Sequence, residues 1–309
     1  MLETYKNIRK TVDANEDMYE ISDEDLLDIQ MTLKEMISDI DAFCKEHQLT
    51  YALCGGSCLG AVRHKGFIPW DDDMDICMPR KDYEQFVELF ETQCSDRYWV
   101  QNIRRDEAYD LHFSKVRRKG THFEEIYETE PEKAGMFIDI FPVDNTYSNP
   151  LLRKLHQVLC DGLLLVCSCV RIRSKLPRLL QYTGSDPGVR RALKLKNLLG
   201  TAFSFFSLRR WMLLTESVIS FCHDDSTDYV MIPSGIRHAS GETYLRKWFF
   251  PSRSIRFEDT RLNTLRHPSP YLTKLYGDFM TLPPEEDRMR HSVLAYSNPR
   301  SSSSQKDTD

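Results

Sequence analysis

Four aspartates fall within five positions of this sequence: Asp71, Asp72, Asp73 and Asp75, in the stretch GFIPWDDDMDI (66–76). Carboxylates this close repel one another unless a cation sits among them. Met74 to Met78 reads as a strand, and side chains alternate along a strand. Asp73 and Asp75 therefore share one face, while Met74 and Ile76 take the other. Two carboxylates side by side suit a hard divalent cation such as Mg²⁺ or Mn²⁺. A third acid, Asp139, lies between Ile138 and Ile140 in MFIDIF (136–141). A lone charge in so apolar a strand is costly unless it is paired or binds a metal. Pairing of the two strands would bring Asp139 beside Asp73 and Asp75.

The complement to these acids is a candidate phosphate site. TYALC (50–54) reads as a short strand, Gly55-Gly56-Ser57 as a turn, and SCLGAVRH (57–64) as a short helix. Glycines let backbone N–H groups approach a phosphate, and a helix N-terminus favours an anion. Ser57 offers a hydroxyl, and Arg63 and Lys115 are candidate cationic partners for the same phosphates. Together these parts describe metal-assisted phosphoryl transfer. Taken singly, each has a plainer reading. Gly-Gly-Ser is ordinarily a turn, an Asp-rich run a solvated loop, and a buried Asp the partner of an Arg or Lys.

Further candidates carry two readings each. His64 and His112 could move protons or serve as polar structural residues. Trp70 could stack on a base or face a cation, or could pack the acidic loop. Asp71 and Asp72 touch the metal or merely shape that loop. Asp144, with Asn145, follows the 136–141 strand. It either faces a ligand or forms a turn after Pro142. Trp99, Trp211 and Trp248 are expected in the core.

Several elements must hold these residues. The spacing of Leu26, Ile29, Leu33, Met36, Ile37, Ile40 and Phe43 predicts a helix over 21–47, with Ser22 and Asp25 as a capping box. Arg80 to Glu91 reads as a second amphipathic helix, and Tyr98–Gln101 and Leu111–Arg117 as strands. Strands alternating with helices point to an α/β or α+β core with a mixed sheet. The expected division is an N-terminal helical segment (1–48), a catalytic core (49–148), a basic helical region (149–228), a C-terminal part (229–297) and a disordered tail (298–309). Residues 151–215 hold twelve Lys/Arg against two acids, a surplus of ten, in a chain whose net charge is −6. Their leucine-rich helical pattern is interrupted at Pro177 and at TGSDPG (183–188). This region is either a helical subdomain with a solvated basic face or a docking surface for anionic lipid or a lipid-linked glycan.

The overall negative charge argues against a protein that coats nucleic acid. The nine cysteines form no CxxC pair, so they are expected as reduced core thiols rather than zinc ligands. The N-terminal residues are too polar for a signal peptide, and the longest uncharged apolar run, 162–170, is short of a membrane span. A cytoplasmic protein is expected, with peripheral contact at the inner face of the membrane as the alternative.

Four blocks in order, GGSCLGAVRHKGFIPWDDDMDICMPRKDYEQF (55–86), FSKVRRKGTHF (113–123), GMFIDIFPVDN (135–145) and YLTKLYGDFMTLPPEEDRMRH (271–291), make the chain resemble the LicD family. The resemblance brackets most of the chain but carries little of 151–228. It implies an α+β fold: a nucleotidyltransferase-like mixed sheet flanked by helices, with a mainly helical insertion. It also implies a phosphotransferase of cell-surface glycan assembly. Members move phosphocholine from CDP-choline to sugars of teichoic acid or lipopolysaccharide, and fukutin-type relatives move ribitol phosphate. Carried onto this chain, Asp73 and Asp75 are the metal pair, Asp139 is the third carboxylate, and Gly55, Gly56 and Ser57 contact phosphate. The implied partners are a CDP-linked donor and a glycan acceptor. The alternatives are a nucleotidyltransferase that releases pyrophosphate and a silent nucleotide- or glycan-binding subunit. Cys58 departs from the family's usual Thr or small apolar residue without touching this chemistry.

Overall fold

A computed structural model describes residues 18–126, 128, 130–182, 187–288 and 290–299. The expectations for the first seventeen residues, for the turn at 183–186 and for the tail beyond 299 lie outside the described residues. The expected tail nonetheless begins too early. Asn298 is buried and donates to Asp28 at 2.9 Å and Thr32 at 3.2 Å.

The first helix, α1 (Asp23–Glu46), starts where its capping signal says it should. Ser22 accepts from the Asp25 N–H, and the Asp25 carboxylate accepts from the Ser22 N–H. Its apolar stripe is buried from Leu26 to Phe43. Phe43 stands edge-on to Phe86 and Phe90 of the helix α3 (Arg80–Gln93). Between them run β1 (Ala52–Leu53), α2 (Gly55–Arg63) and β2 (Asp75–Pro79). Each fully buried side chain of this kind contributes about 1.5–3 kcal/mol, so the stripe fixes α1 firmly.

The fold is α+β. One nine-stranded mixed sheet has the core order β3-β4-β6-β2-β1-β10-β9. Its remaining members are β3 (Tyr98–Gln101), β4 (Ser114–Arg118), β6 (Phe137–Thr146), β7 (Tyr229–Met231), β8 (Thr243–Leu245), β9 (Arg253–Phe257) and β10 (Thr260–Thr264). A separate ribbon pairs β5 (His122–Glu125) with β11 (Val293–Ser297). β2 and β6 are parallel, with Asp75 opposite Asp139. β4 flanks β6 antiparallel, with Lys115 opposite Asp139.

β6 is longer than the sequence suggests. The apolar run marks a strand over 136–141, but the strand continues through Pro142 to Thr146. Pro142 lies between the ladder to β4, which stops at Ile140, and the ladder to β7, which starts at Asp144. A missing N–H is tolerated there. Asp144 and Asn145 are therefore strand residues, not a turn after the strand.

The basic region forms α4 (Pro150–Tyr182), α5 (Pro187–Ala202) and α6 (Leu208–Ile219). Pro177 does not interrupt α4. It is exposed, as is Arg173 one turn earlier, so water can satisfy the carbonyl that lost its partner. By length and mean hydropathy α4 is long and apolar enough to cross a membrane, contrary to the reading from its longest uncharged run. All nine cysteines are free, and only Cys94 is less than buried. The C-terminal part adds α7 (His238–Gly241), α8 (Arg246–Phe249) and α9 (Pro268–Tyr276).

Candidate active site

The Gly-Gly-Ser segment is not a turn before a helix; it is the first turn of α2 itself. Gly55 sits at φ +50°, and a Cβ there would meet the Asp75 carboxylate at 2.4 Å. Only glycine fits so close an approach with that backbone. A Cβ at Gly56 would meet the Asp71 carboxylate at 2.9 Å. The acids thus stand against the N-terminal turn of α2. The Gly55 N–H donates to the Tyr271 hydroxyl at 2.8 Å. Ser57 holds the edge of the site, its Oγ accepting from the Asp75 N–H at 2.8 Å.

Three adjacent strands line up the next layer. Asp75 on β2, Asp139 on β6 and Lys115 on β4 are neighbours in register. The Asp139 N–H donates to the Met74 carbonyl at 2.9 Å, which locks the two acid-bearing strands together. The Lys115 ammonium is buried, 3.1 Å from Asp139 Oδ1 and 3.1 Å from Glu125 Oε2. It also lies over the Phe137 ring at 3.2 Å. Asp139 Oδ1 is buried and, despite this ion pair, lacks a partner in hydrogen-bond geometry.

Two residues complete the site that the strand pattern did not single out. Glu125 faces Lys115, and burial, which would raise its carboxyl, is outweighed by Lys115, His291 and Arg117, holding it at about 2. His291 is gripped by the buried Asp72, which accepts its backbone N–H at 2.8 Å and lies 2.9 Å from ring Nδ1. Ring Nε2 is 3.7 Å from Asp73. Burial would strip the ring of its proton, but Asp72, then Asp73 and Glu125, hold its pKa well above the ordinary value. From the loop before β2, Asp72 thus acts as the clamp of the C-terminal segment. Glu125 shares a strand face with the apolar Phe123, a period-two signal that could have marked it. His291 sits 219 residues from Asp72, where only its block in the C-terminal resemblance hinted at a role.

Acid outnumbers base here. Burial, then Asp73, Asp139 and Asp71, push the Asp75 carboxyl well above its ordinary value. Burial first, with Glu125 and Asp73, lifts Asp139 to about 6 against the pull of Lys115. Burial and the neighbouring Asp75, Asp71 and Asp73 likewise raise the Tyr276 phenol, marking it as part of this surround. Among the described residues, Asp71, Asp72 and Asp73 bring one carboxylate oxygen each within 4.8 Å of one another. Asp73 is thus shared between this grouping, in which Asp72 is engaged by His291, and the expected Asp73–Asp75–Asp139 set. An all-oxygen donor set with an orphaned buried carboxylate oxygen fits a hard divalent cation.

Other candidates lie elsewhere. Arg63 gives Nε to the His64 ring at 2.9 Å and Nη1 to the carbonyls of Phe279 and Thr281. It ties α2 to the C-terminal segment while still feeling Asp71. Burial and Arg63 lower the His64 pKa, so this ring is an acceptor rather than a proton carrier. Trp70 is half-buried under the Arg288 guanidinium, 4.7 Å from its ring centre. His112 is buried 3.6 Å from Glu216, away from the aspartates. Asp144 is a structural acid, held at 2.7 Å by each of two Arg80 nitrogens.

Residues 48–159 match the family model described as the LicD/FKTN/FKRP nucleotidyltransferase domain. The lipopolysaccharide cholinephosphotransferase LicD of Haemophilus influenzae is 28% identical over 273 residues, covering 85% of this chain and 94% of the relative. Uncharacterised proteins of Rickettsia typhi and Rickettsia prowazekii are each 34% identical over shorter stretches of 77 and 64 residues, each covering 24% of the relative.

Proposed function

Because this chain belongs to the LicD family, we propose that it moves a phosphorylated head group, phosphocholine foremost, from a CDP-linked donor to a sugar hydroxyl of a cell-surface glycan. The near-full-length relative is named a lipopolysaccharide cholinephosphotransferase, which supports both the group and a lipopolysaccharide-type acceptor. The observation that carries the reading is the surplus of carboxylates around Asp75 and Asp139, set against the N-terminal turn of α2.

Asp73 and Asp75 would hold Mg²⁺, with Asp71 or Asp139 completing the set. The ion would neutralise charge on the donor phosphates. The remaining work falls to the chain's own groups. The α2 N-terminal turn favours an anion through its helix dipole and its outward N–H groups beyond Gly55. Asp139, lifted to about 6, suits either acceptance of the sugar hydroxyl proton or metal binding. Lys115 fixes the orientation of Asp139, and His291, clamped by Asp72, brings positive charge beside Asp73.

The test is product analysis. CDP-choline with an acceptor saccharide and Mg²⁺ should yield CMP and a phosphocholine-bearing sugar. The second reading, favoured by the nucleotidyltransferase domain match, is attachment of a nucleotide to a phosphorylated substrate. Pyrophosphate release from a nucleoside triphosphate, with no CMP from CDP-choline, would replace the first reading with the second. A thermal-shift panel of CDP-choline, CDP-ribitol and CDP-glycerol would identify the head group.

A further inference from the structure

We infer that the helical region formed by α4, α5 and α6 docks on the surface of an anionic lipid bilayer, through an apolar face built by α4 and α5 and flanked by unpaired basic side chains. This inference does not depend on the transfer reaction.

α4 has two unlike faces. His156, Cys160, Leu164 and Cys167 are buried. His156 lies 2.8 Å from the Val218 carbonyl and 3.1 Å from the Thr146 hydroxyl. The opposite face carries Leu151, Leu155, Val158, Leu159 and Leu165, all exposed, with Leu151 at 78% and Leu155 at 65%. At 100° per residue these five fall in one stripe. A helix whose other face is hydrogen-bonded into the fold cannot be ringed by lipid, so α4 lies on the bilayer rather than crossing it.

α5 adds exposed apolar surface of its own. Gly200 packs so tightly on α4 that a Cβ would meet the Cys169 carbonyl at 2.2 Å. Lys196 donates to Ser168 at 3.0 Å. On α5, held against α4 in this way, Leu195, Leu198 and Leu199 are exposed. Phe205 is exposed just beyond α5.

Charge identifies the occupant. Six basic residues of this region are exposed and make no ion pair with a described residue: Lys154, Arg173, Arg190, Arg191, Lys194 and Arg210. By contrast, Arg171 and Lys175 are committed to Asp110, at 3.3 and 2.8 Å, and Arg178 to Glu124 at 3.0 Å. Arg171 and Lys175, which the sequence alone would nominate for lipid contact, are therefore structural. Arg191 and Lys194 lie on α5 within two turns of Leu195 and Leu198, and Arg190 lies within two turns of Leu195. Apolar side chains with cationic neighbours match the acyl boundary and anionic headgroups of a membrane surface. Each such cation contributes roughly fivefold in affinity.

The experiment is flotation of the full-length protein with phosphatidylcholine vesicles, with and without 30% (roughly a third) phosphatidylglycerol. Binding is expected to the anionic vesicles and to fall with salt. Joint neutralisation, Arg190→Gln, Arg191→Gln and Lys194→Gln, should weaken it on the order of 100-fold. A second variant, Leu155→Ser with Leu159→Ser, should weaken it independently of charge. Circular dichroism and unfolding midpoints matching the parent show that each variant is folded. Three outcomes would overturn the inference: no binding to anionic vesicles, binding indifferent to both variants, or a dimer in light scattering that the leucine variant dissociates. The last would make this face an interface between two copies.

Discussion

β6 carries two buried acids five residues apart, Asp139 and Asp144, and the charge clusters around them are built differently. Around Asp144 two acids share one buried guanidinium, although burial still raises the Asp144 carboxyl and Glu216 Oε2 lacks a hydrogen-bond partner. The Arg80 guanidinium bonds both Asp144 oxygens and also Glu216. Burial alone would discharge Arg80, yet Asp144 and Glu216 hold its pKa well above the usual value. The flanking hydroxyls and amides are satisfied: Tyr83, Ser114 and Asn102 bond one another at 2.7 to 3.0 Å. Around Asp139 the acids outnumber their partners, and Asp75 and Asp139 are both driven toward protonation. A cluster gripped by one bidentate guanidinium holds a fold together, whereas the larger carboxylate surplus beside the α2 N-terminal turn is the candidate cation site.

This contrast can be broken or sharpened by substitution. The largest effect is expected at Asp73, which belongs to both candidate ligand groupings. Asp73→Asn should reduce transfer by about 10³-fold or more and leave the unfolding midpoint unlowered. Transfer at near wild-type rates would remove Asp73 from the metal site. The opposite pattern is expected at Arg80. Arg80→Met leaves two buried acids without their cation and should cost about 3–5 kcal/mol in denaturant unfolding. The fraction that stays folded should transfer normally.

Next in size is the acid response of Glu216. Burial would raise its carboxyl, but Arg80 and then His112 hold it at about 2, below its unfolded value near 4.5. A depressed folded pKa gives stability that is fully present above about pH 4.5. That stability fades as pH falls through the folded value, with a size on the order of 3 kcal/mol. Glu216→Gln should therefore be much less stable than the parent at pH 7, and the gap should narrow at pH 3. A constant gap would show that the carboxylate charge is not what Arg80 needs.

The smallest effect carries the reverse sign. Asp75→Asn relieves repulsion and should stabilise the metal-free protein by about 1 kcal/mol. Added Mg²⁺ should raise the unfolding midpoint of the parent and not of Asp73→Asn. An equal Mg²⁺ response in parent and Asp73→Asn would undo the contrast between the two clusters.

Much of this was readable in one dimension because the causes are local. The α1 capping box needs only Ser22 and Asp25, three residues apart. The strand character of β2 and β6 follows from short apolar runs, and the presence of acids within them from the cost of burying charge. Where local signals misled, a neighbour decided. Pro142 reads as a stop, but it falls between two ladders. Pro177 reads as a break, but its turn faces water.

The sequence by itself determined the inventory: the aspartate run, the acid within MFIDIF, the basic leucine-rich stretch and the blocks resembling the LicD family. These are properties of residue type and near spacing, which the chain carries folded or not. The tertiary structure alone decided the pairings. It gave Asp144 to Arg80, turned Asp72 into the clamp of His291, set Lys115 between Asp139 and Glu125, and separated committed cations such as Arg171 from exposed ones such as Arg190. Whether a charge is satisfied depends on groups within a few ångströms, and those groups come from strands and helices far apart in the chain.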